Sequence, residues 1–247
     1  MTKRNTPEAS GANDALFGGA CLVAIIVLGL CSSPAQAEDR TGPDVAFNAA
    51  VASDYVFRGV SQTESDPAVS AGVDVTQGLF YAGGWAGNVA FAGDADTDAE
   101  IDLYAGVRPE FAGFNWDFGV VSYFYASQPD GADYDYVELK AATSRAVGPA
   151  TLGAVLYYSP DFFGASEDEA TYAEINAAIS PADRWTISAA LGRQWVSSVF
   201  DYTIWNLGAA YQLTDNLALD LRYFDTDEHD FGDAYDSRAV ASLKAVF

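Results

Sequence analysis

The sequence predicts an all-β chain, a single antiparallel transmembrane β-barrel of about twelve strands. Three observations predict it. Apolar and polar residues alternate with period two from residue 45 to the C-terminus. The connections alternate between short turns and long acidic loops. The apolar faces carry almost no charge over their central residues. The chain has 247 residues and is 50% hydrophobic, 14% aromatic and 19% charged. After Leu30 no apolar run is long enough for a membrane helix, so the apolar residues must be spread by a short period.

The segments follow in order. Val45, Phe47, Ala49, Val51, Tyr55 and Phe57 share one face of the first, with Asn48, Asp54 and Arg58 on the other. Val69, Ala71, Val73 and Val75 oppose Ser70, Gly72 and Asp74. Tyr81, Trp85, Val89 and Phe91 oppose Ala82, Gly84, Ala86 and Asn88. Ile101, Leu103, Ala105 and Val107 oppose Glu100, Asp102, Arg108 and Glu110. Phe114, Trp116, Phe118 and Val120 oppose Asn115, Asp117 and Gly119. Val137, Leu139 and Ala141 oppose Tyr136, Glu138 and Lys140. Leu152, Ala154 and Leu156 oppose Thr151, Gly153 and Tyr157. Ile175, Ala177 and Ile179 oppose Glu174 and Asn176. Trp185, Ile187, Ala189 and Leu191 oppose Thr186, Ser188 and Gln194. Trp205, Leu207, Ala209, Tyr211 and Leu213 oppose Asn206, Gly208 and Gln212. Leu217, Leu219, Leu221 and Tyr223 oppose Ala218, Asp220 and Arg222. The last segment sets Ala239, Ala241, Leu243, Ala245 and Phe247 against Arg238, Val240, Ser242, Lys244 and Val246.

Short turns fall at 77–78, 112–113, 147–149, 180–183 and 214–216, and longer acidic loops at 59–67, 93–98, 127–133, 160–169 and 225–236. That sorting suits a barrel with both termini at its short-turn, periplasmic end. A secreted β-sandwich also alternates, but it has less reason to sort loop lengths. Aromatics gather near strand ends, at Tyr81, Phe111, Phe114, Trp116, Trp185, Trp195, Tyr202 and Tyr223, where an interface satisfies ring and polar edge together. Arg193 interrupts an apolar face. Either it snorkels to a lipid phosphate at the outer rim, or a bulge turns it inward.

The ends agree. Lys3 and Arg4, the apolar run Leu16 to Leu30, and Ala35-Gln36-Ala37 read as a signal peptide over 1–37, with a single domain over 38–247. The alternative is an uncleaved anchor. Cys21 and Cys31 both fall in the removed segment, which leaves no disulfide, thiol nucleophile or thiolate metal site. Leu28-Gly29-Leu30-Cys31 fits a lipoprotein signal poorly. Phe247 resembles the terminal aromatic that bacterial outer-membrane barrels present to their assembly machinery, and it is expected to pair near Phe47. Together these place the chain in the bacterial outer membrane, in contact with its lipid.

Ala52-Ser-Asp-Tyr-Val-Phe-Arg-Gly-Val-Ser-Gln62, Asp66-Pro-Ala-Val69 and Gly78-Leu-Phe-Tyr-Ala-Gly-Gly-Trp85 resemble the start of the TorF-type porins of proteobacteria, the Gcw_chp family. The motifs cover the first three strands; the remainder matches in strand rhythm. The resemblance implies a barrel more firmly than it implies a solute.

The alternation sends the strand charges inward: Asp54, Arg58, Asp74, Glu100, Asp102, Arg108, Glu110, Asp117, Glu138, Lys140, Glu174, Asp220, Arg222, Arg238 and Lys244 are the candidate pore-lining residues. Acids outnumber bases. The interior is then either a narrow aqueous path that disfavours anions, or a packed set of ion pairs that plugs it. A barrel of about twelve strands lies between side-chain-filled barrels and open porins. Asp54 and Arg58 either pair or constrict the first strand's outer end, or Arg58-Gly59 starts a loop anchored by Arg58. The net charge of −23 argues against nucleic acid. Asp94, Asp96 and Asp98 alternate as calcium-loop acids do, but Ala99 stands where such a loop needs glycine, so no metal site or other cofactor is expected. His229 is the single histidine and lies in an acidic loop, so a Ser–His hydrolase is not expected. Glu100 and Asp102, neighbours on one face, are too unspecific a pair to suggest an enzyme. The expected role is passive passage of small hydrophilic solutes. The alternative is a non-conducting barrel that displays its loops.

Overall fold

The computed structural model describes residues 42–164, 168–196 and 200–247. The expected leader over 1–37, with Cys21, Cys31 and a start at Glu38, lies outside the described residues. Twelve strands form one sheet among the described residues: β1 (Asp44–Ala52), β2 (Ala68–Gln77), β3 (Phe80–Asn88), β4 (Ala99–Val107), β5 (Phe114–Ala126), β6 (Tyr136–Val147), β7 (Ala150–Ser159), β8 (Ala170–Ala182), β9 (Trp185–Trp195), β10 (Tyr202–Thr214), β11 (Leu217–Thr226) and β12 (Arg238–Val246). Glu110–Phe111 continues β4 beyond Pro109.

Each strand pairs antiparallel with the next, and β12 returns to β1, so the sheet closes without a free edge. Closure runs from Asn48 opposite Val246 to Ala52 opposite Ser242. Phe47 and Phe247 extend it by exchanging backbone hydrogen bonds of 3.1 and 2.9 Å. A closed barrel satisfies every strand's backbone polar groups internally, which lipid requires. A two-sheet sandwich is excluded by this closure.

The pleat puts alternate side chains outside. Phe47, Val69, Leu103, Leu139, Ile175, Leu207 and Leu221 are each more than half exposed. A continuous apolar belt of this kind would be an aggregation surface in water and is the normal surface of a barrel in lipid. Aromatic rings mark the rims. Phe111 stacks on Trp116 at 5.0 Å and Trp116 on Phe118 at 5.8 Å, beside a Trp185–Tyr211 contact of 4.9 Å, all toward the short turns. Trp205 and Tyr223 meet at 5.3 Å toward the long loops.

β3 reverses the expectation. Tyr81, Trp85 and Val89 are buried inside, and Phe80, Ala82 and Ala86 face out. Tyr202 also points inward. The interior of this barrel holds rings as well as polar groups, so an aromatic does not identify the lipid side. Glycines make room for the rings. A Cβ on Gly83 would come within 2.5 Å of the Tyr104 ring, and one on Gly119 within 2.5 Å of the Tyr81 hydroxyl. Gly83→Ala should therefore push Tyr104 off the wall, break its 2.7 Å hydrogen bond to Asp74, and cost about 1–3 kcal/mol by overpacking. Urea unfolding of Gly83→Ala in lipid vesicles measures that cost, and Gly42→Ala, where nothing lies within 4 Å and the backbone is not left-handed, is the control.

Short turns and both ends of the described chain lie at one rim. The Ala112-Gly113 turn has φ of 56° and 73°, the left-handed pair a two-residue hairpin needs. Longer connections lie at the other rim.

Candidate functional site: the lumen and its inserted hairpin

The segment after β1 does not continue the wall. It leaves the sheet after Ala52 and forms a small hairpin, with Val56–Phe57 paired to Val60–Ser61. Tyr55, Val56 and Arg58 are buried, so the expectation that Tyr55 and Phe57 continue the outer face of the first strand is corrected. Arg58 and Gly59 form the tip, with φ of 47° and 86°. A Cβ on Gly59 would sit 3.0 Å from Ile204 on β10 and 3.0 Å from Thr226 on β11, so the tip is wedged against the wall.

Side chains then fasten the hairpin around the barrel. Asp54 accepts hydrogen bonds from Ser61 Oγ (2.7 Å), Thr63 Oγ1 (2.9 Å) and Arg238 Nη1 on β12 (2.9 Å). The Tyr55 hydroxyl donates to Glu100 on β4 at 2.9 Å, and its ring lies 5.4 Å from Trp85 on β3. Val56 packs on Phe224 of β11 and Val240 of β12. Arg58 donates through Nη1 and Nη2 to the Glu138 carboxylate on β6 at 2.9 and 2.6 Å, and to Gln194 Oε1 on β9 at 2.9 Å. Its guanidinium also lies 4.9 Å from the Tyr157 ring centre on β7 and 4.4 Å from that of Tyr172 on β8. Tyr123 completes Glu138 with a hydroxyl donated at 2.9 Å. Asp54 and Arg58 are therefore not each other's partners; the arrangement is a loop turning at Gly59 and anchored by Arg58.

Toward the short turns, Asp117 accepts from Tyr81 (2.7 Å), Lys140 (2.9 Å) and Arg108 (3.3 Å). The Arg108 guanidinium stacks 3.8 Å from the Tyr81 ring centre. Asp74 accepts from Tyr104 at 2.7 Å and from Asn48 on β1 at 3.4 Å, and Lys244 on β12 stands opposite Ala50 and Ala218. Arg222 bridges Asp220 (3.1 Å), Asn206 (2.7 Å) and Ser188 (2.9 Å). Glu174 accepts from Tyr172 (2.7 Å) and Asn176 (3.0 Å). Glu110 departs from the expected inward set: it is exposed at the short-turn rim, where it pairs with Asn115 in the last rungs of the ladder. The inward face thus carries ion pairs of three kinds: Lys140 and Arg108 on Asp117 of a neighbouring strand, Arg222 on Asp220 of its own strand, and Arg58 and Arg238 in pairs that join the hairpin to the wall.

Arg193 keeps its outward parity. It donates to Thr203 at 2.9 Å, lies 3.9 Å from Asp201 and sits at the long-loop rim with 41% of its side chain exposed. The register across β9 is continuous at Arg193, so the rim position holds and the bulge does not.

Two aromatic clusters lie at the long-loop rim. Phe91, Tyr125, Tyr134 and Phe163 form one, with Tyr134 stacked on Phe163 at 4.4 Å. Tyr202, Phe231 and Tyr235 form the other, with ring centres 5.2 and 5.3 Å apart. Asp94 serves a turn: it accepts the Thr97 hydroxyl at 2.6 Å and the Asp96 N–H at 2.9 Å. The Thr97 hydroxyl holds its carboxyl below the usual range. His229 lies 2.8 Å from Asp225. That hydrogen bond raises its pKa above the ordinary 6.5. The folded state therefore holds the proton more tightly. The stabilisation is fully present below pH 6.5 and fades as pH rises through the raised value. An NMR titration of His229 should show a midpoint above 6.5, and Asp225→Asn should bring it back.

Solved structures similar to this chain include porins. It is similar to the KdgM porin at 8% identity, with 82% of this chain and 98% of that one covered and a TM-score of 0.56. It is similar to the NanC porin at 10% identity, covering 82% and 98%, with a TM-score of 0.53. At these identities the likeness is one of fold. Closure, the apolar belt and that shared fold place the chain in the bacterial outer membrane. No curated protein matches it. A family model described as a bacterial protein of unknown function (Gcw_chp) matches residues 36–247, and the chain belongs to that family.

Proposed function

We propose that this chain is a porin-like outer-membrane protein for passive passage of small hydrophilic solutes, along a path narrowed by the hairpin at 54–61. One observation carries the proposal. The wall of a closed barrel turns charged and polar side chains inward, and they face an inserted hairpin seated on it chiefly by polar contacts. Charge persists in a membrane-spanning wall where it is hydrated or paired, and here it surrounds the axis. The inward residues named from sequence, with Glu110 moved to the rim, are the lining set. The acidic excess of the chain, with its net charge of −23, disfavours anions. The motifs at 52–85 support a TorF-type assignment. A signal peptide over 1–37 and recognition of β12 by the barrel-assembly machinery complete the scheme. Catalysis has no support from this site, since His229 sits in a loop beside an acid alone.

A second reading, a non-conducting barrel that displays its loops, is favoured by the aromatic clusters at the long-loop rim and the paired interior. Planar-bilayer recording separates them. The expected result is steps of current with a salt-gradient reversal potential on the cation side, larger when residues 54–61 are replaced by a Gly-Ser linker. Reversal on the anion side overturns the selectivity. Silence from both folded proteins overturns passage.

A further inference from the structure

The hairpin at 54–61 reaches every strand from β3 to β12. Tyr55 meets Trp85 on β3 and Glu100 on β4. The Phe57 ring lies 6.2 Å from that of Tyr123 on β5. Arg58 holds Glu138 on β6 and Gln194 on β9, and lies over the rings of Tyr157 on β7 and Tyr172 on β8. Gly59 abuts Ile204 on β10 and Thr226 on β11, and Asp54 holds Arg238 on β12. At this level the inward residues Glu100, Tyr123, Glu138, Tyr172, Gln194 and Ile204 are buried. Of the wall residues around Arg58, only Tyr157 keeps partial exposure. Toward the short turns the inward face is wetter: Asn48, Asp74, Asp117, Lys140, Glu174 and Lys244 are all half-buried. The wall thus forms a polar cup at the short-turn end, with the hairpin across its floor.

We propose that the seated hairpin closes the lumen and that passage requires it to leave its seat as a unit, so that it is a gate and not a fixed constriction. The gate rests on the passage reading above and adds its regulation. Two features suit a movable element. The seat is chiefly polar. As the hairpin lifts, water takes up both halves of each hydrogen bond, so seated and lifted states exchange these bonds and do not lose them. A seat of packed apolar side chains has no such replacement. The backbone is also held off its preferred angles when seated. Arg58 at the tip has φ of 47°, and Glu64 and Ser65, where the chain returns to the wall, have 51° and 67°. Left-handed backbone is unfavourable outside glycine, and release of the hairpin relieves it.

A reversible lock tests the gate. A Cβ on Gly59 would stand 3.1 Å from that of Ile204, a few tenths of an ångström inside the spacing of about 3.5–4.5 Å that a disulfide spans. The full chain is made with Cys21 and Cys31 replaced by Ser, so that Gly59→Cys and Ile204→Cys supply the only thiols. In planar bilayers the oxidised double variant should be silent, and a reductant added to the chamber should restore its steps of current. Each single variant should conduct with or without oxidant. Folding is checked by gel mobility before and after boiling, and the lock by loss of free thiol. Equal steps from the oxidised and reduced protein overturn the gate and leave passage standing, since solutes then go round the seated hairpin. Current from the Gly-Ser linker variant with none from the wild type also overturns it, since the hairpin is then a fixed plug. Silence from every folded protein overturns passage itself, and the gate with it. If the double variant fails to fold, Glu138→Gln decides. A weaker seat should make openings several-fold more frequent with steps of unchanged size, whereas larger steps at unchanged frequency overturn the gate.

Discussion

Replacing Arg58 by Ala should lower the stability of the folded barrel by about 3–5 kcal/mol, the usual cost of leaving a buried charge without its partner. The Arg58 and Glu138 side chains are 5% and 1% exposed, so water cannot take over the missing bonds. Glu138 would keep a single donor, the Tyr123 hydroxyl. The same change removes the guanidinium from the faces of Phe57, Tyr157 and Tyr172, contacts that strengthen when desolvated. Relief of the left-handed backbone at position 58 offsets little, because Ala meets nearly the same restriction. Lys should rescue poorly, since a point charge cannot reproduce the two-pronged bond. Removing both charges, in Arg58→Ala with Glu138→Gln, should cost less than the sum of the single changes, and the difference measures the coupling. Urea unfolding in lipid vesicles, followed by tryptophan fluorescence, reads all of these. A loss below about 1 kcal/mol for Arg58→Ala, the range of an exposed pair, would mean that the hairpin is not seated in the membrane-embedded protein.

The hairpin also marks where sequence reasoning stops. The alternation made the wall legible, because each strand obeys one rule: apolar toward lipid. Phe247 and Phe47 illustrate it, since parity and the even strand count together place them side by side, and they exchange backbone hydrogen bonds. The rule fails at β3. Tyr81 and Trp85 are apolar enough for lipid and also fit an interior where glycines of the wall leave flat ground for a ring, Gly106 and Gly119 for Tyr81 and Gly87 of its own strand for Trp85. A pattern of hydropathy cannot separate the two environments when both accept aromatics. Ala82 and Ala86, small and featureless, turned out to be the lipid side.

The interior was legible as a list of charges and not as a set of partners. Asp54 and Arg58 are near in sequence and of like parity, which suggested a pair. Their partners are Arg238 and Glu138, brought in by closure of the barrel and by the inward fold of the chain. A local cue existed. Arg58-Gly59 is a two-residue turn flanked by Val56–Phe57 and Val60–Ser61, a hairpin written within the first segment and read there as strand and loop. Glu110 failed for a different reason: it still pairs with Asn115, but it stands at the rim end of the ladder, where parity no longer decides whether a side chain is enclosed.

Arginine placed on the outer face should be tolerated at the rim and not at mid-height. Ile175 is 63% exposed and lies near the middle of β8, opposite Ala154 and Leu191. Phe80 is 68% exposed and opens β3 beside a short turn. In water the two substitutions would be alike, each within about 0.5 kcal/mol of neutral. In a bilayer, Ile175→Arg should cost about 2–4 kcal/mol, because the guanidinium starts at the apolar midplane, and Phe80→Arg about 0–1, because it reaches the interface directly. Ile175→Ala and Phe80→Ala subtract the loss of the apolar side chain itself. Equal costs at the two positions in vesicles would overturn the lipid-facing belt, and with it the argument that the charges on the opposite face of every strand surround a central axis. A large difference fixes the height of the membrane on the barrel. It would place the Arg58–Glu138 pair and the buried Glu100 and Asp102 at a defined depth, where an unpaired charge is hardest to hold.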